Sequence, residues 1–121
     1  MRLLSDVMGF SELEKQRIKK VVGEYCDRKI PEHARNQIKL FYKIRGYDVK
    51  IIESRPHFIH KSEWTEHPIA RMKYDAESMS WQLFWGRASG RREKYPYLGP
   101  TKNLKGIIDE IEKDPLHVFW G

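Results

Sequence analysis

Cysteine occurs once in this 121-residue chain, as Cys26. One thiol cannot form an internal disulfide or a multi-thiolate metal site, and it fits a reducing compartment. The amino terminus, MRLLSDVMGF, is too short in apolar run and too interrupted for a signal peptide or a membrane span. A cytoplasmic protein with no membrane partner is therefore expected. The eight glycines are scattered as turn residues, so no phosphate-cradling loop is present. Internal repeats, linkers and low-complexity segments are missing as well. Acid is in deficit: 17 Asp and Glu stand against 23 Lys and Arg, a net charge of +6. Residues 104–121 carry −2, which leaves +8 on the other 103 residues. Such a body attracts polyanions through its long-range field.

What the chain does have is aromatic bulk. Four Trp, six Tyr and five Phe supply the burial that offsets ordering entropy, and 121 residues suffice for one core without metal or disulfide. Ser11 with Glu14 makes a capping box, and Ile18, Val21, Val22 and Tyr25 repeat at helical spacing. This predicts a helix over about 12–28, closed by Pro31. The period then changes to two, with Ile38, Leu40, Tyr42 and Ile44 alternating with polar residues and Phe41. Strands are expected over about 36–45 and 48–55, hinged at Gly46, then over 69–75 and 80–87. A short edge strand is expected over 92–97, and residues 57–67 read as a loop. Thr101 offers a cap for a helix over about 102–113, where Leu104, Ile107, Ile108 and Ile111 repeat the stripe. Pro115 ends that helix, and the tail LHVFWG is expected to dock. The whole is a single α+β domain with an antiparallel sheet of four to five strands built from hairpins. The N-terminal helix precedes the sheet, and the C-terminal helix packs on one of its faces.

The segments YCDRKIPEHARNQIKLFYKIRGYDVKIIESRP, EWTEHPIARMKY, WQLFWGRAS and IDEIEKDPLHVFWG occur in that order. Together they resemble a family of small bacterial proteins, domain of unknown function 3024, over essentially the whole chain. The most specific pieces are Arg55-Pro56, Pro68-Ile69-Ala70, Trp81 to Trp85, and Asp114-Pro115 with Phe119-Trp120-Gly121. The family usually carries an aromatic-rich basic stretch after the second tryptophan; SGRREKYPY keeps the bases with fewer aromatics. The resemblance implies a compact domain and brings no activity, cofactor or catalytic residue with it.

Function is sought on the sheet. Trp81, Leu83 and Trp85 share one strand face, expected under the helices, while Phe84 takes the other. Phe41, between Lys39 and Lys43, is expected to join Phe84 on an open face. Arg71 and Lys73 share a face with Ile69, and register decides whether that face is the same one. The candidate nucleic-acid-binding set is Lys39, Phe41, Lys43, Arg71, Lys73, Phe84, Arg87, Arg91, Arg92 and Lys94. Cations would track the phosphates of DNA or RNA while bases stack on rings. The plain alternative is a solvated face with lysines guarding the sheet against aggregation. None of the standard nucleic-acid-binding signatures is present.

Two other functional classes compete. One is a protein-interaction or self-associating module that uses an aromatic face and the HVFWG tail. The other is a metal-dependent nuclease around Asp48, Glu53 and Arg55, but Arg in place of Lys cannot act as a base. Glu53 and Arg55 are more simply a same-face ion pair. His57, His60 and His67 lie near Glu63 and Glu66, yet zinc needs three or four ligands in fixed geometry. Cys26 is expected to be buried and structural rather than a nucleophile served by His33. Arg28, Lys29 and Arg35 read as solubilising cations near a helix end. No catalytic residue, metal or cofactor is assigned.

Overall fold

Helix α1 starts at the cap that SELE supplies. Ser11 Oγ accepts from Glu14 N at 3.1 Å, and Ser11 N donates to Glu14 Oε1 at 2.9 Å. The computed structural model of this protein describes residues 9–86 and 92–120. Glu12–Ile18 and Glu24–Lys29 of α1 are α-helical, and Lys19–Gly23 between them is a π-helical turn, with Glu24 N donating to Lys19 O. Gly23 passes close to the sheet: a Cβ there would lie 3.1 Å from Tyr42 Cε1.

After a 3₁₀ turn at Glu32–Ala34 come five strands: β1 (Lys39–Arg45), β2 (Asp48–Pro56), β3 (Trp64–Asp75), β4 (Ser80–Gly86) and β5 (Arg92–Lys94). They form an antiparallel meander in the order β1-β2-β3-β4-β5. Gly46 and Tyr47 make the two-residue β1–β2 loop, with Gly46 at φ 59° and Arg45 opposite Asp48. Glycine in the first loop position is what a hairpin turn of this length requires. The α2 helix (Leu104–Lys113) follows, and the molecule is one small α+β domain.

Two expectations change. Strand β3 begins at Trp64, inside the stretch expected to be a loop. Its alternation is broken by a bulge: Ala70 lies opposite Ile51 and Pro68 opposite Ile52, leaving Ile69 as the extra residue. Among the described residues β4 pairs with β3 only from Arg71 onward, and a proline suits a bulge, where the ladder is already interrupted. The cap of α2 is also not Thr101. Asn103 Oδ1 accepts from Gly106 N at 3.1 Å, while Thr101 bridges Trp81 at the sheet margin.

One sheet face is closed by the helices. Leu40, Val49, Ile51, Ala70, Met72, Trp81 and Leu83 meet Ile18, Val22 and Tyr25 of α1 and Ile107, Ile108 and Ile111 of α2. Tyr95, just past β5, is also buried in this core and its hydroxyl donates to Glu110. Asp114 ends α2 in the left-handed region at φ 43° and is itself buried. Its Oδ1 accepts from Val118 N at 2.8 Å and Phe119 N at 3.1 Å, and Oδ2 from Trp120 N at 2.8 Å. Burial would raise the Asp114 pKa, but the N–H groups of Trp120, Phe119 and Val118, with His117, more than offset it and hold it below the ordinary value. The tail thus folds back. Phe119 is buried, Trp120 Nε1 donates to Ile111 O at 3.1 Å, and Lys29 Nζ sits 4.7 Å over the Trp120 ring. Among the described residues no helix is long and apolar enough to cross a membrane.

Candidate nucleic-acid interface

Residues opposite one another in an antiparallel register point to the same side of the sheet. One such row runs Lys43–Lys50–Arg71–Phe84–Lys94, a residue from each of the five strands. Four steps of about 4.8 Å make it roughly 19 Å long. Arg45–Asp48–Lys73–Gln82 lies on one side of it and Phe41–Ile52–Pro68 on the other, with Lys39–Ser54–Glu66 beyond. Arg92 adds to it opposite Gly86. The register therefore brings Lys39, Phe41, Lys43, Arg71, Lys73, Phe84, Arg92 and Lys94 onto the face away from the helices. Arg87 and Arg91 lie outside the described residues. Ile69 does not share this face: the bulge turns it against the hydrophobic core, apart from Arg71 and Lys73.

Charge on this face is lopsided. Lys39, Lys43, Arg45, Lys50, Arg71, Lys73, Arg92 and Lys94 are set against Asp48, Glu66 and Asp75. Two cations are neutralised. Arg71 grips Asp48 twice, Nε to Oδ1 at 3.1 Å and Nη2 to Oδ2 at 2.8 Å, and Lys43 meets Glu66 at 3.0 Å. Among the described residues, Lys39, Arg45, Lys50, Lys73, Arg92 and Lys94 form no ion pair. Lys50 stands in the middle of this face, between Lys43 and Arg71. Its pKa is lowered by burial and then by Arg92 and Arg71, with Asp48 opposing and Arg45 adding a smaller push. It sits in a positive field.

The rings on this face are partly covered by the same cations. Lys39 Nζ lies 4.2 Å from the Trp64 centroid, Lys43 Nζ 5.7 Å from Phe41, and the Arg71 guanidinium 5.6 Å from Phe84. Phe41 and Phe84 are half-buried, neither inside the core nor bare. Beside Phe84 the β3–β4 turn walls off a broad hollow of about 810 Å³, lined in part by Lys73, Gln82, Phe84 and Lys94. A second hollow of about 540 Å³ lies between α1 and β1, on the helix side of the sheet, lined in part by Lys19, Lys20, Glu24 and Asp27.

The other candidates are occupied locally. Arg55 Nε meets Glu53 Oε1 at 2.6 Å, the same-face pair that strand spacing predicts. His57 Nδ1 accepts from Ile59 N at 3.2 Å and His60 N at 3.1 Å, which orders a loop that leaves Phe58 81% exposed. His67 Nε2 lies 3.2 Å from Thr65 Oγ1. Among the described residues no group of three His, Cys, Asp or Glu could hold a metal ion. Burial, and then the charge of Asp27, pushes the Cys26 thiol up to about 12, the opposite of what a nucleophile needs. Asp48, one of the nuclease candidates, is the first residue of β2 and the anchor of Arg71.

Three members of the face escape sequence reasoning: Arg45, Lys50 and Trp64. Lys50 carried a signal, since it alternates with Val49 and Ile51. Trp64 carried none, because Pro68 and the Ile69 bulge hide the period of the strand that presents it.

The family model described as domain of unknown function (DUF3024) matches residues 10–121. No curated protein matches the chain, and no solved structure does. Since the match takes in both helices and all five strands, the chain belongs to the DUF3024 family.

Proposed function

We propose that this chain acts in the bacterial cytoplasm as a non-enzymatic nucleic-acid-binding domain, using the open face of its sheet. The observation that carries the reading is the five-strand row Lys43–Lys50–Arg71–Phe84–Lys94, flanked by Arg45, Lys73 and Arg92. In and around that row Lys39, Arg45, Lys50, Lys73, Arg92 and Lys94 form no ion pair among the described residues, and on a rigid pleated surface they suit a ligand that presents a line of phosphates. Arg71, tied to Asp48 and lying over Phe84, orders the middle of the row without adding a free charge to it. The lone thiol supports a reducing compartment. The tail contributes nothing to a partner surface in this reading, since Phe119 is buried against the chain's own core.

The test is anisotropy of labelled DNA and RNA oligonucleotides titrated with the protein across a series of salt concentrations. If the six cations that form no ion pair all reach phosphates, log K against log salt falls with a slope of about −4 to −5. Charge reversal at Lys50 or Lys94 should weaken binding to every sequence alike. Absence of binding at low salt, or binding indifferent to salt, would defeat the reading. A nuclease-resistant complex with another protein, retained without nucleic acid, would put a protein partner in its place.

A further inference from the structure

We propose that the hollow beside Phe84 seats one unstacked base of a single strand, with its phosphate between Lys73 and Lys94. This rests on the nucleic-acid reading above and adds to it a class of ligand and a base subsite. Phe84 lies opposite Arg71 on one side and Lys94 on the other. Arg71, tied to Asp48, occupies one flank of the ring at 5.6 Å and does not line the hollow. Phe84 itself lines the hollow, so the ring offers it an apolar surface.

The floor beside the ring is Gln82, directly opposite Lys73. Its Nε2 is fixed by donating to Leu83 O at 2.9 Å, which leaves the amide oxygen as a pre-positioned acceptor for a base edge. Charge changes sign across the space, from Lys94 and Lys73 to Asp75 and Glu77 at the turn. Phosphate is drawn to the first end, and the amino edge of a base is compatible with the second. A volume of about 810 Å³ lies within the range of small-ligand sites and admits a nucleotide unit, while its width leaves the chain free to run onward over Lys50. A duplex cannot use it: paired bases keep their faces stacked, and a ring platform needs a base splayed out.

The experiment compares a short single-stranded oligodeoxynucleotide with an abasic phosphodiester oligomer of equal length, by anisotropy against the full chain. Wild type should bind the base-bearing strand roughly tenfold more tightly, within the five- to 150-fold range that one base–ring stack produces. Phe84→Leu, an exchange on a half-open face that keeps an apolar side chain, should erase that ratio by weakening only the base-bearing strand. Lys50→Ala should weaken both ligands equally. Equal affinity of wild type for the two ligands overturns the subsite while sparing the phosphate-tracking face. An equal loss for both in Phe84→Leu also overturns it, since that is a general effect on the surface. If neither ligand binds at low salt, both readings fall together.

Discussion

Exchanging Asp114 for asparagine should detach the carboxyl-terminal tail, and the size of the effect follows from three hydrogen bonds. The carboxylate receives Val118 N and Trp120 N at 2.8 Å and Phe119 N at 3.1 Å. Asparagine keeps one acceptor oxygen, enough for the first and last of the Oδ1 pair, but turns an NH₂ toward Trp120 N. One bond to a charged group, worth about 1.5–3 kcal/mol, is lost, and the other two fall from charged to neutral strength. The sum is about 2–4 kcal/mol. Asparagine also tolerates the left-handed backbone at φ 43°, so no conformational penalty is mixed in. In urea, with a slope near 2 kcal/mol/M, the unfolding midpoint followed by tryptophan fluorescence should drop by roughly 1–2 M at neutral pH. The sign with pH is fixed by linkage. The Asp114 pKa is depressed below 3.8 in the folded chain, so its contribution is complete above that value and is lost as pH falls through the folded value. The gap between wild type and variant should therefore close in acid. Equal midpoints at neutral pH, or a gap that persists once carboxyls are protonated, would refute this account of the tail.

Other expectations follow from the same geometry. Leu83→Ala, at a fully buried position between the sheet and the helices, should cost about 2–5 kcal/mol in urea unfolding. Gly46→Ala should cost about 1–2 kcal/mol, because φ 59° crowds a Cβ, whereas Gly46→Asn should cost less; matched urea curves decide it. Cys26 should alkylate very slowly at mildly alkaline pH in the folded protein and readily in urea, since burial pushes its thiol up to about 12; rapid labelling of the native chain would contradict that. Lys50→Ala should leave stability within about 0.5 kcal/mol and flatten the salt slope of nucleic-acid binding by about 0.7–0.9.

Local physics made much of the fold legible. The capping box at Ser11 and Glu14, the alternation from Ile38 to Ile44 and the glycine of the first hairpin are each decided within a few residues, so they survive in the linear text. The cap of α2 was misplaced because Thr101 and Asn103 are both good capping types two positions apart, and only the pairing of Thr101 with Trp81 removes it from contention. The first half of β3 was hidden because Pro68 and Ile69 look like the start of a strand when they are its interruption.

The open face itself is shared between the two levels. By itself the sequence determined that the body is basic, that Phe84 opposes the Trp81–Leu83–Trp85 face of its strand, and that Phe41 stands between two lysines, since all of these follow from composition and a period of two. Which strands' cations stand side by side was decided only by the tertiary structure. A shift of one residue in register would have sent Arg71 and Lys73 to the helix-covered side, and the bulge at Ile69 changes the parity of everything before it on β3. Register is set by long-range pairing and core packing, in which Met72 against Val49 and Leu83 outweighs any preference written locally around Arg71.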